Sequence, residues 1–473
     1  MDSSGSASLT FDDRRALGRE ARALTPRSSH GGWQPPAGRA DPVLLLEEQA
    51  DTRIAELIPI RYGRMMVSPF TFYRGAALLM AADLATTPNS GITVQLCGDA
   101  HLSNFGFFGT PERKMLFDIN DFDETLPGPW EWDLKRLAAS FEVAARYRGF
   151  REKDRNAITH TVGRAYREQM RTAASSRVLD AWYDHLDADE VLAWISEQVD
   201  ANRATDSQLN RAAAGVAKAR SRDNGSTIAK LVGRVDGRLR ILANRPLIVP
   251  VEDLADASAA LGGEQETIRR LLAEYEGTLL QEHHPVHEYS YVHMARKVVG
   301  VGSVGTRAWI VLLRGRDDED LLLVQAKEAQ ASVLERFLAP SPYDNHGERI
   351  VRGQRMMQAA SDIFLGWQRV PDLSGITHDF YLRQLRDWKG AVDIERMRGT
   401  GAMLYADLCG RTLARAHARS GDRVAIAAYL GSGVVMDDAI ARFASDYADQ
   451  NERDYAAFLQ AIDTGRLSAI PGL

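Results

Sequence analysis

The chain is poor in cysteine, has no excess of positive charge and contains no long apolar run. Cys97 and Cys409 are the only cysteines among 473 residues. Two are too few for a disulfide scaffold or a cysteine-based zinc module, and they fit a reducing cytoplasm. Lys plus Arg number 58 against 64 Asp plus Glu, a net charge of −6, which argues against a globally basic nucleic-acid binder. The most apolar stretch, Ala76 to Ala82, stops at Asp83, far short of the roughly 20 residues that a membrane helix needs. Asp12, Asp13, Arg14 and Arg15 stand where a signal peptide would be apolar, so a cytoplasmic protein without a membrane partner is expected. No internal repeat is seen. With 45% hydrophobic and 26% charged residues, the mixture is that of an ordinary compact protein.

Periodicity predicts an α+β fold. Residues 1–42, rich in Ser, Gly, Arg and Pro, read as a flexible or loosely docked arm. Within 43–150 a helix is expected from Phe70 to Ala85, strands over Gly91 to Cys97 and Lys114 to Asn120, and a helix over Trp132 to Arg148 with Leu134, Leu137, Phe141 and Ala145 inward. Residues 151–290 read as helical, broken by a hairpin around Asn244-Arg245-Pro246. Residues 291–390 carry strand signals in Val298 to Leu313 and Leu321 to Ala326, a helix from Gly347 to Leu365, and strands at Gln368 to Val370 and Phe380 to Leu385. Helices at Gly401 to Ala418 and Met436 to Leu459 fill residues 391–473.

Two acidic loops follow the first two strands: Gly98-Asp99-Ala100-His101-Leu102-Ser103-Asn104, and Asp118-Ile119-Asn120-Asp121-Phe122-Asp123-Glu124. An Asp, an Asn five positions on and a further Asp 22 positions from the first supply what phosphoryl transfer needs. One carboxylate orients the attacking hydroxyl, while the Asn and the later carboxylates hold Mg²⁺ against phosphates. Asp and Asn also cap turns after strands, but that accounts poorly for so many acids together. The same letters fit a phosphatase in which Asp121 is nucleophile and Asp123 its partner, although Asp118 and Asn120 interrupt the strand which that chemistry wants apolar.

Gly300-Val301-Gly302-Ser303-Val304-Gly305 is a weak signal alone. The β-branched and aromatic residues after it predict a strand, so strand, glycine loop and strand form a hairpin of the kind that folds over nucleotide phosphates. The next strand delivers Lys327, costly to bury without an anion. An acid on the following helix should pair with it: Glu348 first, then Glu335 and Glu328.

These residues resemble two families. Gly98-Asp99 to Asn104, Asn120 to Asp123 and Trp132-Asp133-Leu134 look like the catalytic loop, metal loop and following helix of aminoglycoside phosphotransferases and choline kinases. From about Arg61 to Phe458 the chain more closely resembles the bacterial domain-of-unknown-function family 2252, in Ser68-Pro69-Phe70 to Arg74-Gly75, Lys327-Glu328-Ala329 and Leu413 to Ala418 among others. The kinase resemblance implies a bilobal protein-kinase-like fold with ATP and Mg²⁺. In it Asp99 is the base with His101 beside it, Asn104, Asp121 and Asp123 are metal ligands, and Lys327 is the phosphate contact. Gly300, Gly302, Ser303 and Gly305 form the lid, and Tyr381 to Leu385 is the hinge strand, with Gln384 as a nucleotide contact. The order differs, because the glycine loop and lysine follow the catalytic loop by about 200 residues. Cys97 also stands where those kinases usually have His. A circular permutation, with 151–290 as a helical insertion shaping an acceptor pocket, accounts for the order.

The expectation is an ATP- and Mg²⁺-dependent phosphotransferase, or nucleotidyl transferase, acting on a small molecule. The alternatives are a nucleotide-binding regulatory pseudoenzyme and the phosphatase. The basic run between Arg211 and Arg240 reads as a solvated face, so a nucleic-acid partner is not expected. His283, His284 and His287 with Glu282 or Glu288 are a weak metal candidate.

Overall fold

The strongest strand signals come together in one six-stranded antiparallel sheet, in the order Gly366–Pro371, Thr377–Gln384, Leu321–Ala329, Ala308–Arg314, Ser290–Lys297 and Ile248–Pro250. The structure, a computed structural model, describes residues 9–254, 265–281, 283–371, 376–385 and 388–473. Leu312, Leu321 and Leu323 pack on one sheet face, and Leu313, Leu322, Val324 and Leu382 on the other. That double-sided burial explains why Leu321–Ala329 reads as a continuous apolar run. The helix His346–Met357 lies between this strand and the last two in sequence.

The rest is mostly helical, so the α+β expectation holds. Its centre is Trp130–Tyr147, whose Leu134, Leu137, Phe141 and Ala145 are buried as expected. Nearly every other residue of this helix is buried too, because it is surrounded by the helices Glu152–Ser175, Gly399–Ser420 and Val435–Asp463. Two small sheets accompany it: Thr93–Leu96 with Leu126–Pro129, which leads into its N-terminus, and Phe105–Gly109 between Met115–Ile119 and Gly390–Ala391. Among the described residues no single helix is long and apolar enough to cross a membrane.

Three expectations change. The single helix over Phe70 to Ala85 is two, Pro69–Gly75 and Ala77–Leu84, the first started by a Ser68 capping box. The hairpin of paired strands turns at Asp236-Gly237, while at Asn244-Arg245-Pro246 the chain turns back with a single antiparallel bridge, Asn244 to Ile248. Asp236 and Gly237 have positive φ (50° and 76°) and join Val232–Val235 to Arg238–Ile241, the backbone that an Asp-Gly pair favours. Residues 9–42 are docked, not a loose arm. Thr10 caps the helix Phe11–Leu24, and Arg39 makes hydrogen-bonded ion pairs with Asp83 and Asp454 at 2.6–2.9 Å.

His30 completes that docking, its ring 2.6 Å from the Tyr429 hydroxyl. Burial and the nearby Lys135 charge push its pKa down to about 3 from 6.5. The folded state therefore excludes a proton that the unfolded chain takes up below pH 6.5. The contribution of the neutral ring is complete above that pH and is lost by about 1.4 kcal/mol per unit as pH falls toward 3. We expect urea midpoints of His30→Gln, compared at pH 7 and pH 5, to drop less than those of the wild type. Equal drops would refute this assignment.

Candidate functional site

Gly98 turns the chain from the strand Thr93–Leu96 into the first acidic loop. It has φ of +81°, and a Cβ there would lie 2.2 Å from the Glu124 carbonyl oxygen, so only glycine lets the two acidic loops approach this closely. The turn is pinned from below by Asp133, which accepts hydrogen bonds from the Cys97 and Gly98 amides (2.8 and 3.0 Å) and lies 3.2 Å from His417 Nε2. Asp99 projects from this turn and pairs with Arg136 at 2.6 Å. Burial raises the Asp99 pKa, with Arg136 opposing. His101 lies 3.8 Å from Asp99 but is buried, and burial together with the Arg74 and Arg136 charges holds it neutral. It backs the Asp99 loop from inside the protein. Asn104 donates its side-chain amide to the Asp99 carbonyl (2.8 Å), and among the described residues no donor bonds its Oδ1. Its own carbonyl accepts from the Asn120 amide (2.8 Å), tying the loops together.

The acids of the second loop divide by partner. Asp118 accepts the Ile119 amide, and Glu124 accepts Val333 N and Ser332 Oγ; both are held by the fold. Asp123 is the meeting point. It pairs with Lys327, accepts the Tyr381 hydroxyl at 2.8 Å and accepts Ser303 Oγ of the glycine loop at 3.2 Å. Register explains the convergence: Lys327 stands between Ala308 and Tyr381 on neighbouring strands, and cross-strand partners share a face. Burial would raise the Asp123 pKa, but Lys327 and the hydroxyl bring it below the ordinary value. Burial likewise disfavours the Lys327 charge, yet Asp121 and Asp123 outweigh it and its pKa rises. Among the described residues Asp121 accepts the Asp123 amide alone, at 3.3 Å, and burial beside Asp123 raises its pKa.

The glycine loop occupies 298–307 between strands, as expected, with Gly300 and Gly305 at φ +66° and +96°. It is clasped by Arg64 on the Gly300 carbonyl, Arg53 on the Val304 carbonyl and the Ile54 amide on the Gly305 carbonyl. It is therefore a seated cover and not a freely hinged lid.

The glutamate partners expected for Lys327 are a correction. Glu348 pairs with Arg352 one helical turn on, Glu335 caps Ser332, and Glu328 pairs with Arg307. The helix instead presents the next residue, Arg349, whose guanidinium donates to the carbonyls of Thr125, Asp123 and Gln330 at 2.6–2.8 Å. The Gln384 amide is taken by Asp362, so that backbone donor is engaged within the sheet region. Arg74, Arg136, Arg349 and Tyr381 are site residues whose roles sequence patterns did not single out. The one available signal was the family-hallmark segment that contains Arg74.

Asp121, Asp123 and Asn104 would offer oxygen donors only, the type that suits Mg²⁺. The fit is supported by the open carboxylate of Asp121 and the free Oδ1 of Asn104. Among the described residues no group of three or more His, Cys, Asp or Glu side chains is placed to hold a metal ion. In the histidine cluster, His284 stacks edge-on against Phe364 and accepts the Val286 amide, a packed loop residue. Glu282 lies outside the described residues.

Comparison with curated proteins and with solved structures returned no match. The family model described as uncharacterised protein conserved in bacteria (DUF2252) matches residues 53–461, a span that takes in both acidic loops, the glycine loop, Lys327 and the helix carrying His417. The chain belongs to that family.

Proposed function

We propose that the chain is an ATP- and Mg²⁺-dependent phosphotransferase acting on a small molecule, with a circularly permuted kinase-like arrangement. The observation that carries this is the convergence on Asp123 of Lys327 and the glycine-loop Ser303, from a sheet about 200 residues away in sequence. A buried cation, a glycine hairpin and two carboxylates at one point are the elements needed to hold a metal-bound triphosphate. The permutation is supported by two internal segments, far apart in sequence, that meet. The helix Gly399–Ser420 stops against the strand leading to Asp99, where a Cβ on Gly421 would lie 2.5 Å from Val94.

The acceptor hydroxyl oxygen bonds to the γ-phosphorus as the bond to the β-bridging oxygen breaks, and ADP leaves with that electron pair. Asp99 receives the hydroxyl proton. Lys327 would pass from Asp123 to a phosphate oxygen, which would leave the Asp123 carboxylate available to hold a cation. Mg²⁺ held by Asp121, Asp123 and Asn104 would neutralise the phosphate charge.

One observation favours the second reading, a nucleotide-binding module without turnover: Asp99 already spends its charge on Arg136. Thermal shift with ATP·Mg²⁺ tests both readings. The wild type should gain about 2.7 kcal/mol at 100-fold excess over Kd, and Asp121→Asn should lose most of it. No wild-type shift overturns both. A shift without ADP or pyrophosphate release across a panel of hydroxyl metabolites selects the module; pyrophosphate selects nucleotidyl transfer.

A further inference from the structure

Arg74 is the cation of this cleft without an assigned partner. It lies near the end of the short helix Pro69–Gly75, and its Nε is enclosed by protein with no hydrogen-bond partner. Among the described residues it makes no hydrogen bond and no ion pair. It lies within electrostatic reach of Asp99 and Asp121, one from each acidic loop, and of His101. The helix places it there through two fixed contacts. Arg136, the partner of Asp99, donates to the Tyr73 carbonyl at 3.1 Å and stacks on the Tyr73 ring at 4.4 Å. The Arg74 carbonyl lies under the glycine loop, 3.3 Å from where a Gly302 Cβ would be.

Arg74 is half-buried, with its Nε sealed from solvent, and a sealed N–H without an acceptor is costly. The other arginines at the cleft are engaged. Arg136 holds Asp99, Arg349 holds the Asp123 to Thr125 backbone, and Arg383 donates to the Asn120 carbonyl at 3.2 Å. Among the described residues Arg74 alone of these cleft arginines makes no hydrogen bond or ion pair, and a guanidinium left without protein partners is suited to two oxygens of one phosphoryl group.

We infer that Arg74 binds the terminal phosphoryl group of the nucleotide, between the acceptor position at Asp99 and the metal position at Asp121. The inference rests on the nucleotide reading proposed above and names a phosphate ligand contributed from outside the two loops and the sheet. In the transfer step the phosphorus gains the acceptor oxygen and loses the β-bridging oxygen, and Arg74 holds the equatorial oxygens, which neither bond touches.

The position predicts discrimination between ATP and ADP. We would measure Kd for ATP·Mg²⁺ and ADP·Mg²⁺ by calorimetry on the wild type, Arg74→Gln and Arg74→Lys, with the melting temperature of each free protein as a folding control. Arg74→Gln should weaken ATP by about tenfold to a hundredfold, the range of a charge-assisted hydrogen bond, and ADP by less than about threefold. Arg74→Lys should recover part of the ATP loss and so cover the case in which the Gln variant folds poorly. ATP and ADP weakened equally, or neither weakened, overturns the role of Arg74 while leaving the nucleotide site standing. Absence of nucleotide binding by the wild type overturns the nucleotide reading itself and this inference with it.

Discussion

Lys327→Met should lower the unfolding free energy by about 3 kcal/mol and abolish stabilisation by ATP·Mg²⁺. Removing one partner of a buried ion pair leaves the other uncompensated, at a cost of about 3–5 kcal/mol. The lower end applies because the Asp123 side chain keeps 27% exposure and retains Tyr381 and Ser303 as donors. Asp123→Asn should cost less, and the double variant should cost less than the sum, giving a coupling of about 1–3 kcal/mol in urea unfolding. Coupling below about 0.5 kcal/mol would mean that the pair does not hold the sheet to the acidic loops. The pH sign follows from the lowered Asp123 pKa. Its contribution is present above the unfolded carboxylate value near 3.8 and is lost as pH falls through the lower folded value.

Asp133→Ala should cost about 4 kcal/mol and remove nucleotide binding even where the variant stays folded. The carboxylate satisfies two amides and a histidine, all buried, and each orphaned donor costs about 1–3 kcal/mol. The amides belong to Cys97 and Gly98, so their release frees the Asp99 turn. The histidine is His417, fixed on its other side by the Tyr166 hydroxyl at 2.8 Å, so the same change loosens the helix Gly399–Ser420 from the central helix. Urea unfolding of the variant checks the first effect and calorimetry with ATP·Mg²⁺ the second. A loss below about 1 kcal/mol would show that the turn stands without its anchor.

What local patterns encode was legible. The apolar run Leu321 to Ala326, the glycines before a β-branched segment and the acids after two strands each report their own backbone, and these elements occur where expected. Pairings between distant segments were not legible. The register that sets Tyr381 beside Lys327 depends on which strands become neighbours, and the choice of Asp123 over Glu348 depends on two loops meeting a sheet. Arg74 belongs to a motif that is readable as a family hallmark, but its lack of a partner is visible only in three dimensions. Residues 9–42 misled for a related reason. Their Ser, Gly and Pro content suits a mobile chain, while the ties that dock them, Arg39 to Asp454 and His30 to Tyr429, span about 400 positions.

The most direct measurement is a crystal structure of the protein with Mg²⁺ and a non-hydrolysable ATP analogue. The triphosphate is predicted between Ser303 and Lys327, with the metal on Asp121, Asp123 and Asn104 and Lys327 turned from Asp123 to a phosphate oxygen. A nucleotide bound elsewhere, or the Lys327 to Asp123 pair intact beside an empty cleft at saturating analogue, would contradict the account.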